Sequence, residues 1–310
     1  MNDLTLTGLD GANPLGFLAT LGAFRVLNEA SPARMYWRQD GGRWTPVLST
    51  ENWPSVLSLA RILRRRKDSP PLTMANNPQM PLDKFREAVL AAREQWFTGA
   101  TQNLELIAAL GDSAVPDRYK PTINADTAWR TMSGSGHQHF LKFINEICRI
   151  TSLRQLQEAL FGPWRYADIG YSMRWDPADD RRYALRWKDP SEDKVTNVRG
   201  ANRLAIEALP LFPVMPTART LETTGFRGSR STDTFFTWPI WTVPITLDVC
   251  RSLLALAELQ RDHPDTATLA LIGVHAVFRS QRITVGKFRN FTPARQIAGS
   301  SGTTPSPISK

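Results

Sequence analysis

The segment that most constrains the fold is GLDGANPLGFLATLGAFRVLNEA, residues 8–30. Asn13 can cap a helix by accepting a hydrogen bond from a free backbone N–H, and Pro14 suits the first helical position. Apolar side chains cover most of the circumference of the helix that follows, which predicts burial on several sides. Gly16 and Gly22 inside this helix each cost about 1 kcal/mol relative to alanine. Close packing of another backbone, or a bound phosphate, must offset that cost.

The start of the same helix is a candidate anion site. Free N–H groups and the helix dipole favour phosphate at an N-terminus, and Asn13 is the candidate residue there. The segment contains neither a P-loop nor a GxGxxG pattern, so no nucleotide fingerprint supports this interpretation. A buried core helix is therefore the favoured prediction.

Helix and strand patterns occur in blocks along the chain, which favours a mixed α+β fold with antiparallel strands and a helical middle section. Strands are predicted at 4–9, 34–39, 43–49, 170–176 and 181–187, with a closing hairpin at 274–288. Helices are predicted at 52–66, 81–97 and 101–111, in two segments between 137 and 161, in a short segment stopped by Pro210, and at 246–260. The aromatic, proline-containing stretch 234–244 suits an edge strand or a packed loop.

Length and composition favour one large domain. The chain has 310 residues, of which 42% are hydrophobic and 22% are charged. We predict a single α+β domain over residues 1–297, with a possible helical subregion over 81–162. The low-complexity segment 298–310 predicts a disordered tail.

Several features favour a cytoplasmic protein without membrane contact. The apolar run 15–24 is too short to span a bilayer, and the first residues lack the basic region of a signal peptide. Cys148 and Cys250 make no disulfide framework. We expect no cofactor.

The positive charge is supplied mainly by arginine. The net charge is +9, and the basic residues comprise 30 arginines and 8 lysines. Codon usage alone explains such a bias, whereas binding of phosphates and bases is the functional alternative, because arginine forms bidentate contacts and stacks. Residues 266–310 contain six basic residues and no acidic one, which codon bias does not explain.

Two basic clusters are candidate nucleic-acid sites. The first alternates with phenylalanines in FRSQRITVGKFRNFTPAR and comprises Arg279, Arg282, Lys287, Arg289 and Arg295. The second, in RILRRRK, comprises Arg64, Arg65, Arg66 and Lys67 and is also typical of a solvated helix C-terminus. We expect the first cluster to form one electropositive surface. The alternative is that acids from elsewhere, such as the turn at 176–180, pair with it internally.

Catalytic and metal-binding patterns are weak. His137 and His139 are spaced by two residues, which does not direct both side chains to one ion, so we expect no metal site. Backbone groups around Ser135 and Gly136 are a weak candidate for anion binding. The sequence contains no GxSxG, HExxH or P-loop motif, and we do not expect an enzyme.

Four long segments resemble proteins encoded in type I CRISPR loci of the U/G subtypes. They are GLDGANPLGFLATLGAFRVL, SMRWDPADDRRYALRWKDP, GANRLAIEALPLFP and TWPIWTVPITLDVCRSLLAL. The similar proteins are the large subunit and a smaller protein associated with the helicase-nuclease. The resemblance implies a place in a crRNA-guided effector complex beside other subunits, with crRNA or target DNA as partner. The helicase and nuclease activities of these systems reside on another chain.

The sequence thus predicts a non-enzymatic, nucleic-acid-binding component of a type I CRISPR effector complex, which contacts the crRNA or DNA backbone or helps to recruit the nuclease. One alternative is a protein–protein adaptor that uses the aromatics of TFFTWPIW as its contact. Another is a divergent hydrolase that uses the Gly/Ser-His loop at 133–139.

Overall fold

The computed structural model describes residues 2–52, 55–67, 69–134, 136–179, 196–218, 220–228, 233–285 and 288–299. Within these residues the chain is a mixed α+β protein with antiparallel strands, which confirms the predicted fold class. The predicted strand at 181–187 and the tail beyond residue 299 lie outside the described residues.

The helices in the described ranges are α1 (Pro14–Ala30), α2 (Val56–Arg65), α3 (Pro70–Thr73), α4 (Leu82–Phe97), α5 (Thr101–Leu110), α6 (Phe140–Ile150), α7 (Leu153–Phe161), α8 (Arg199–Ala208), α9 (Leu247–Leu254) and α10 (Thr266–Leu271). Ser55 caps α2 and Ser152 caps α7 through hydrogen bonds from backbone N–H groups to their hydroxyls. No helix in these ranges is both long enough and apolar enough to cross a membrane.

The strands in the described ranges are β1 (Asn2–Thr5), β2 (Ala33–Asp40), β3 (Arg43–Thr50), β4 (Asp168–Ile169), β5 (Thr196–Asn197), β6 (Val214–Pro216), β7 (Leu221–Thr223), β8 (Phe226–Arg227), β9 (Phe235–Trp241), β10 (Val274–Val285), β11 (Phe288–Phe291) and β12 (Arg295–Gly299). The first sheet has the order β1-β3-β2. The larger sheet has the order β11-β10-β9-β8, and β12 also pairs with β10.

Helix α1 is buried from Pro14 to Leu27, as the sequence predicts. A Cβ on Gly22 would lie 1.8 Å from the carbonyl oxygen of Leu204, so the backbones of α1 and α8 meet at this glycine. The same helix joins the two larger sheets, because the ring of Phe17 lies 5.7 Å from that of Trp37 in β2 and 5.6 Å from that of Trp238 in β9. Close backbone packing therefore explains the glycine.

The predicted hairpin of β2 and β3 is confirmed. Asp40 pairs with Arg43, and the two turn residues Gly41 and Gly42 have φ values of +53° and +82°. Positive φ at both positions is the geometry that matches the twist of a two-residue hairpin, and glycine adopts it without a Cβ penalty.

Residues 235–241 form an inner strand, β9, so both predictions for 234–244, an edge strand and a packed loop, are wrong. Strand β9 pairs with β10 along its length and with β8 at Phe235 and Phe236. Thr237 donates its N–H to the carbonyl of Gly225 on the β8 side, and Pro239 faces that same side beyond the end of β8. A proline is tolerated there because no partner strand needs its missing N–H.

Two other predictions are corrected. Residues 170–176 form no strand. Within this segment Arg174 has a φ value of +57°, which β pairing does not allow. The predicted tail begins too early, because Ala298 and Gly299 belong to β12 and pair with Val277 and Ala276 of β10. Low-complexity composition predicts disorder, but it does not show that β10 offers these residues a strand to pair with.

The close approach at Gly22 leads to a stability prediction. Gly22→Leu forces its side chain against the α8 backbone and should lower the free energy of unfolding by about 1–3 kcal/mol or more. A thermal melt measures the effect. Ala91→Leu on the exposed face of α4 is the matched control and should leave the melting temperature nearly unchanged. Equal melting temperatures for the two variants would contradict the prediction.

Candidate nucleic-acid interface

Arg279 of the first basic cluster is buried and bound to the protein itself. Its Nε donates to the hydroxyl of Thr237 at 2.9 Å, and its Nη2 donates to the carbonyls of Leu259 and Arg261 at 2.9 and 2.7 Å. Burial, with a smaller contribution from Arg227, lowers the pKa of Arg279 to about 10. The guanidinium stays charged at neutral pH, and its donors hold β9, β10 and the segment after α9 together.

Arg282 is likewise buried, and its Nη1 donates to the carbonyl of Ala128 at 2.6 Å. Burial, followed by the charge of Arg289, lowers the pKa of Arg282 to about 9. Arg289 is half-buried and pairs with Asp126 at 3.2 Å. Arg295 is exposed, and Lys287 lies outside the described residues.

The expectation that the first cluster forms one electropositive surface is therefore wrong for Arg279 and Arg282. Carbonyl oxygens accept the donors of Arg279 and Arg282, and Asp126 pairs with the neighbouring Arg289. Long-range packing brings these acceptors to the cluster, and no local sequence pattern includes them. The acids at 176–179 are engaged elsewhere: Asp176 accepts hydrogen bonds from Asn13 at 3.1 Å and from Tyr166 at 3.0 Å.

At the predicted anion site at the start of α1, two carboxylates of the chain itself accept the nearby hydrogen-bond donors. Asn13 caps the helix by accepting from the N–H of Gly16 at 3.0 Å, while its Nδ2 donates to Asp176. Asp10 accepts from the N–H groups of Ala12 and Trp44 at 3.0 and 3.2 Å. The cap prediction for Asn13 is confirmed, and internal acids satisfy the donors near it.

The loop at 133–139 shows no catalytic arrangement among its described residues. His137 is exposed, and the Nδ1 of His139 lies 3.0 Å from the side-chain nitrogen of Asn77. Gly136 is exposed at a φ of +62°, and Ser135 lies outside the described residues. Across the described ranges, no group of three or more His, Cys, Asp and Glu residues could hold a metal ion.

The second basic cluster divides into an inward and an outward part. Arg66 turns inward and pairs with Glu29 of α1 and with Glu207 of α8, the latter at 2.6 Å. Arg64 and Arg65 are exposed, and Lys67 is half-buried. The helical geometry of α2 separates these neighbours onto different faces.

Glu207 is the centre of a buried charge network. Its carboxylate accepts from Arg203 at 2.8 Å and from Arg66 at 2.6 Å, and lies 3.4 Å from Arg25. Burial alone would raise the pKa of Glu207, but the charges of Arg203, Arg66 and Arg25 outweigh it and lower this pKa to about 2. The network attaches α2 to α1 and α8.

A cavity of about 300 Å³ opens between α2, α6 and α7. Five of its lining side chains are cationic, namely Arg61, Arg64, Lys67, Arg149 and Arg203. No carboxylate lines it within the described part of the chain. We call it the cationic cavity; it is an electropositive recess of the size that small ligands occupy.

The cations of this cavity differ in burial and in their bonds to other residues. Arg203 is buried, with Nη1 bound to Glu207 and Nη2 donating to the carbonyl of Leu63 at 3.0 Å. Arg61, Arg64 and Arg149 are exposed, and no ion pair is found for them among the described residues. The exposed three have guanidinium donors that can bind an anion.

Sequence reasoning named only part of this site. Arg64 and Lys67 were among the candidates, whereas Arg61, Arg149 and Arg203 were not. Arg149 lies in the last turn of α6, where cations commonly compensate the helix dipole. Its sequence position therefore does not distinguish a ligand-binding role from a structural one. Only the packing of α2 against α6 and α7 brings these residues together.

Comparison of the chain with protein-family models finds no match, and comparison with curated proteins finds no significant one.

Arg279 provides a test of its structural role. Arg279→Gln removes the guanidinium donors that bind two carbonyl oxygens and one hydroxyl in a buried place, and leaves these acceptors without that partner. The free energy of unfolding should therefore fall by about 1–3 kcal/mol. Arg295→Gln removes the same charge from an exposed position and should have little effect. Chemical denaturation of both variants measures the difference, and equal stabilities would contradict the internal role.

The Glu207 network predicts acid sensitivity. Because the pKa of Glu207 is lowered from 4.5 to about 2, its ionised form stabilises the fold fully above about pH 4.5 and this contribution is lost as the pH falls toward 2. The loss should reach about 3 kcal/mol. Denaturation at a series of pH values measures the free energy of unfolding. Between pH 4.5 and 2 this free energy should depend less on pH in Glu207→Gln than in the parent. At pH 6 the variant should be less stable than the parent. An unchanged dependence would contradict the assignment.

Proposed function

We propose that this protein is a non-enzymatic component of a type I CRISPR effector complex that binds the phosphate backbone of crRNA or target DNA at the cationic cavity. The observation that carries the proposal is a recess lined by five cations and, among the described residues, by no carboxylate. The sequence resemblance supplies the biological setting: a cytoplasmic complex with other effector subunits as partners.

The physical basis is the concentration of positive charge at the exposed Arg61, Arg64 and Arg149. Each cation that contacts a phosphate displaces condensed counterions, so several neighbouring cations produce strong and salt-dependent binding. Arg65 on α2 and Arg154 on α7 are also exposed, on two of the three helices that border the cavity. Three exposed guanidiniums at the cavity itself favour phosphate, whose oxygens match the arginine fork.

The two alternatives receive less support from the geometry. The adaptor hypothesis used the aromatics of TFFTWPIW as an exposed contact, but Phe236, Trp238 and Trp241 are buried in the core. The hydrolase hypothesis used His137 and His139, and His139 contacts Asn77.

The proposal predicts how charge removal changes binding. The triple variant Arg61→Gln/Arg64→Gln/Arg149→Gln should bind single-stranded nucleic acid more weakly. The slope of log affinity against log salt should become smaller by about two units, since about 0.7 unit is lost per contact. Fluorescence anisotropy across a salt series measures both quantities.

The matched control is Arg34→Gln/Arg86→Gln/Arg93→Gln, which removes three exposed arginines that do not line the cavity. It has the same net charge as the cavity variant, so a general effect of charge would appear equally in both. Equal salt slopes for the two triple variants, or parent binding that does not depend on salt, would contradict the proposal.

A further inference from the structure

We propose that the cationic cavity receives one unstacked nucleotide of a single strand, with its phosphate at the exposed arginines and its base against leucine side chains. This inference rests on the proposed function and specifies the form of nucleic acid that the site accepts.

The shape of the cavity favours a single strand over a duplex. The cavity encloses about 300 Å³. Pockets of roughly 300–1,000 Å³ are typical of small-molecule sites, and the volume here is at the lower end of that range. A duplex presents its phosphates on a convex backbone with the bases stacked inside, so it contacts the rim of a recess. A nucleotide of a single strand can rotate out of its stack and enter.

The lining is the second argument. Leu57 at the start of α2 and Leu153 at the start of α7 line the cavity although 46% and 36% of their surfaces are exposed. Leu156 continues this apolar wall into the interior, where it is 2% exposed. A phosphate group has no apolar surface to bury, whereas the face of a base has one. Exposed leucines beside exposed arginines therefore match a ligand with both an apolar face and a negative charge.

The relative positions of the two kinds of side chain give the third argument. Arg61 and Arg64 follow Leu57 along α2, at spacings of four and seven residues, which place all three on one side of the helix. Arg149, in the last turn of α6, lines the same cavity. Leu153 lines it from the start of α7, after a short connection. One nucleotide can therefore contact cations from two helices and leucines from two helices.

The test compares strands that differ only in their bases. A labelled oligothymidylate, the same strand with abasic residues, and a duplex of equal length are titrated by anisotropy across one series of salt concentrations. We expect the unmodified protein to bind the strand with bases about tenfold more tightly than the abasic strand, and the duplex more weakly than the single strand. The abasic comparison uses the unmodified chain, so folding of a variant does not enter it.

Variants of the two exposed leucines locate the effect. Leu57→Ser/Leu153→Ser should bring the affinity ratio of the two strands close to one while the salt slope stays as in the parent, because the arginines are unchanged. Leu90→Ser/Leu271→Ser is the matched control at leucines that are 50% and 88% exposed and do not line the cavity. Thermal melts check that both double variants are folded.

The outcomes separate this inference from the proposed function. Equal binding of the abasic and normal strands with a steep salt slope overturns the nucleotide pocket and leaves backbone binding standing. Duplex binding as tight as single-strand binding overturns it as well, as does a parent-like preference for bases in the Leu57→Ser/Leu153→Ser variant. Absence of salt-dependent binding to any strand overturns the proposed function first.

Discussion

The buried carboxylate of Glu207 determines where the basic helix α2 lies. It accepts from Arg66 at the end of α2 and from Arg203 in α8, and Arg25 of α1 lies 3.4 Å away. Buried ions are costly unless several partners surround them, and here three guanidiniums share one carboxylate while Arg25 also pairs with Glu105 at 2.7 Å. Glu29 and Glu105 complete the network, so that three glutamates balance the charges of Arg25, Arg66 and Arg203. The position of α2, and with it the cationic cavity, depends on this network.

The second constraint is the close contact of α1 with α8. Gly22 allows the α8 backbone to approach, and Gly200 at the start of α8 does the same for α7, since its Cβ would lie 2.0 Å from the carbonyl oxygen of Gln155. Three helices are thereby held at backbone contact. Phe17 on the opposite side of α1 packs against Trp37 and Trp238, which connects the helices to both larger sheets. The α7 wall of the cavity and Arg203 of α8 thus belong to this closely packed group of helices.

Arginine has two different roles in this protein. Arg279 and Arg282 use their donors to bind carbonyl oxygens, namely those of Leu259 in a 3-10 helix and of Arg261 and Ala128 outside regular secondary structure. Arg61, Arg64 and Arg149 remain exposed around a recess without carboxylates among the described residues. Composition cannot distinguish these roles, because a planar cation with five donors suits both internal bridging and phosphate binding. Burial and the identity of the acceptor distinguish them.

The sequence by itself determined most of the local structure. Asn13 and Pro14 predicted the start of α1, Gly41 and Gly42 the β2–β3 hairpin, and apolar periodicity the helices of the middle section, because caps, turns and amphipathic faces depend on residues that are close along the chain. Tertiary structure decided which charges are exposed. The acceptors of Arg279 lie 18 to 42 residues away, and Leu63, which accepts from Arg203, lies 140 residues away. A side chain pairs with whatever the fold brings within about 3 Å, and no local pattern encodes such partners.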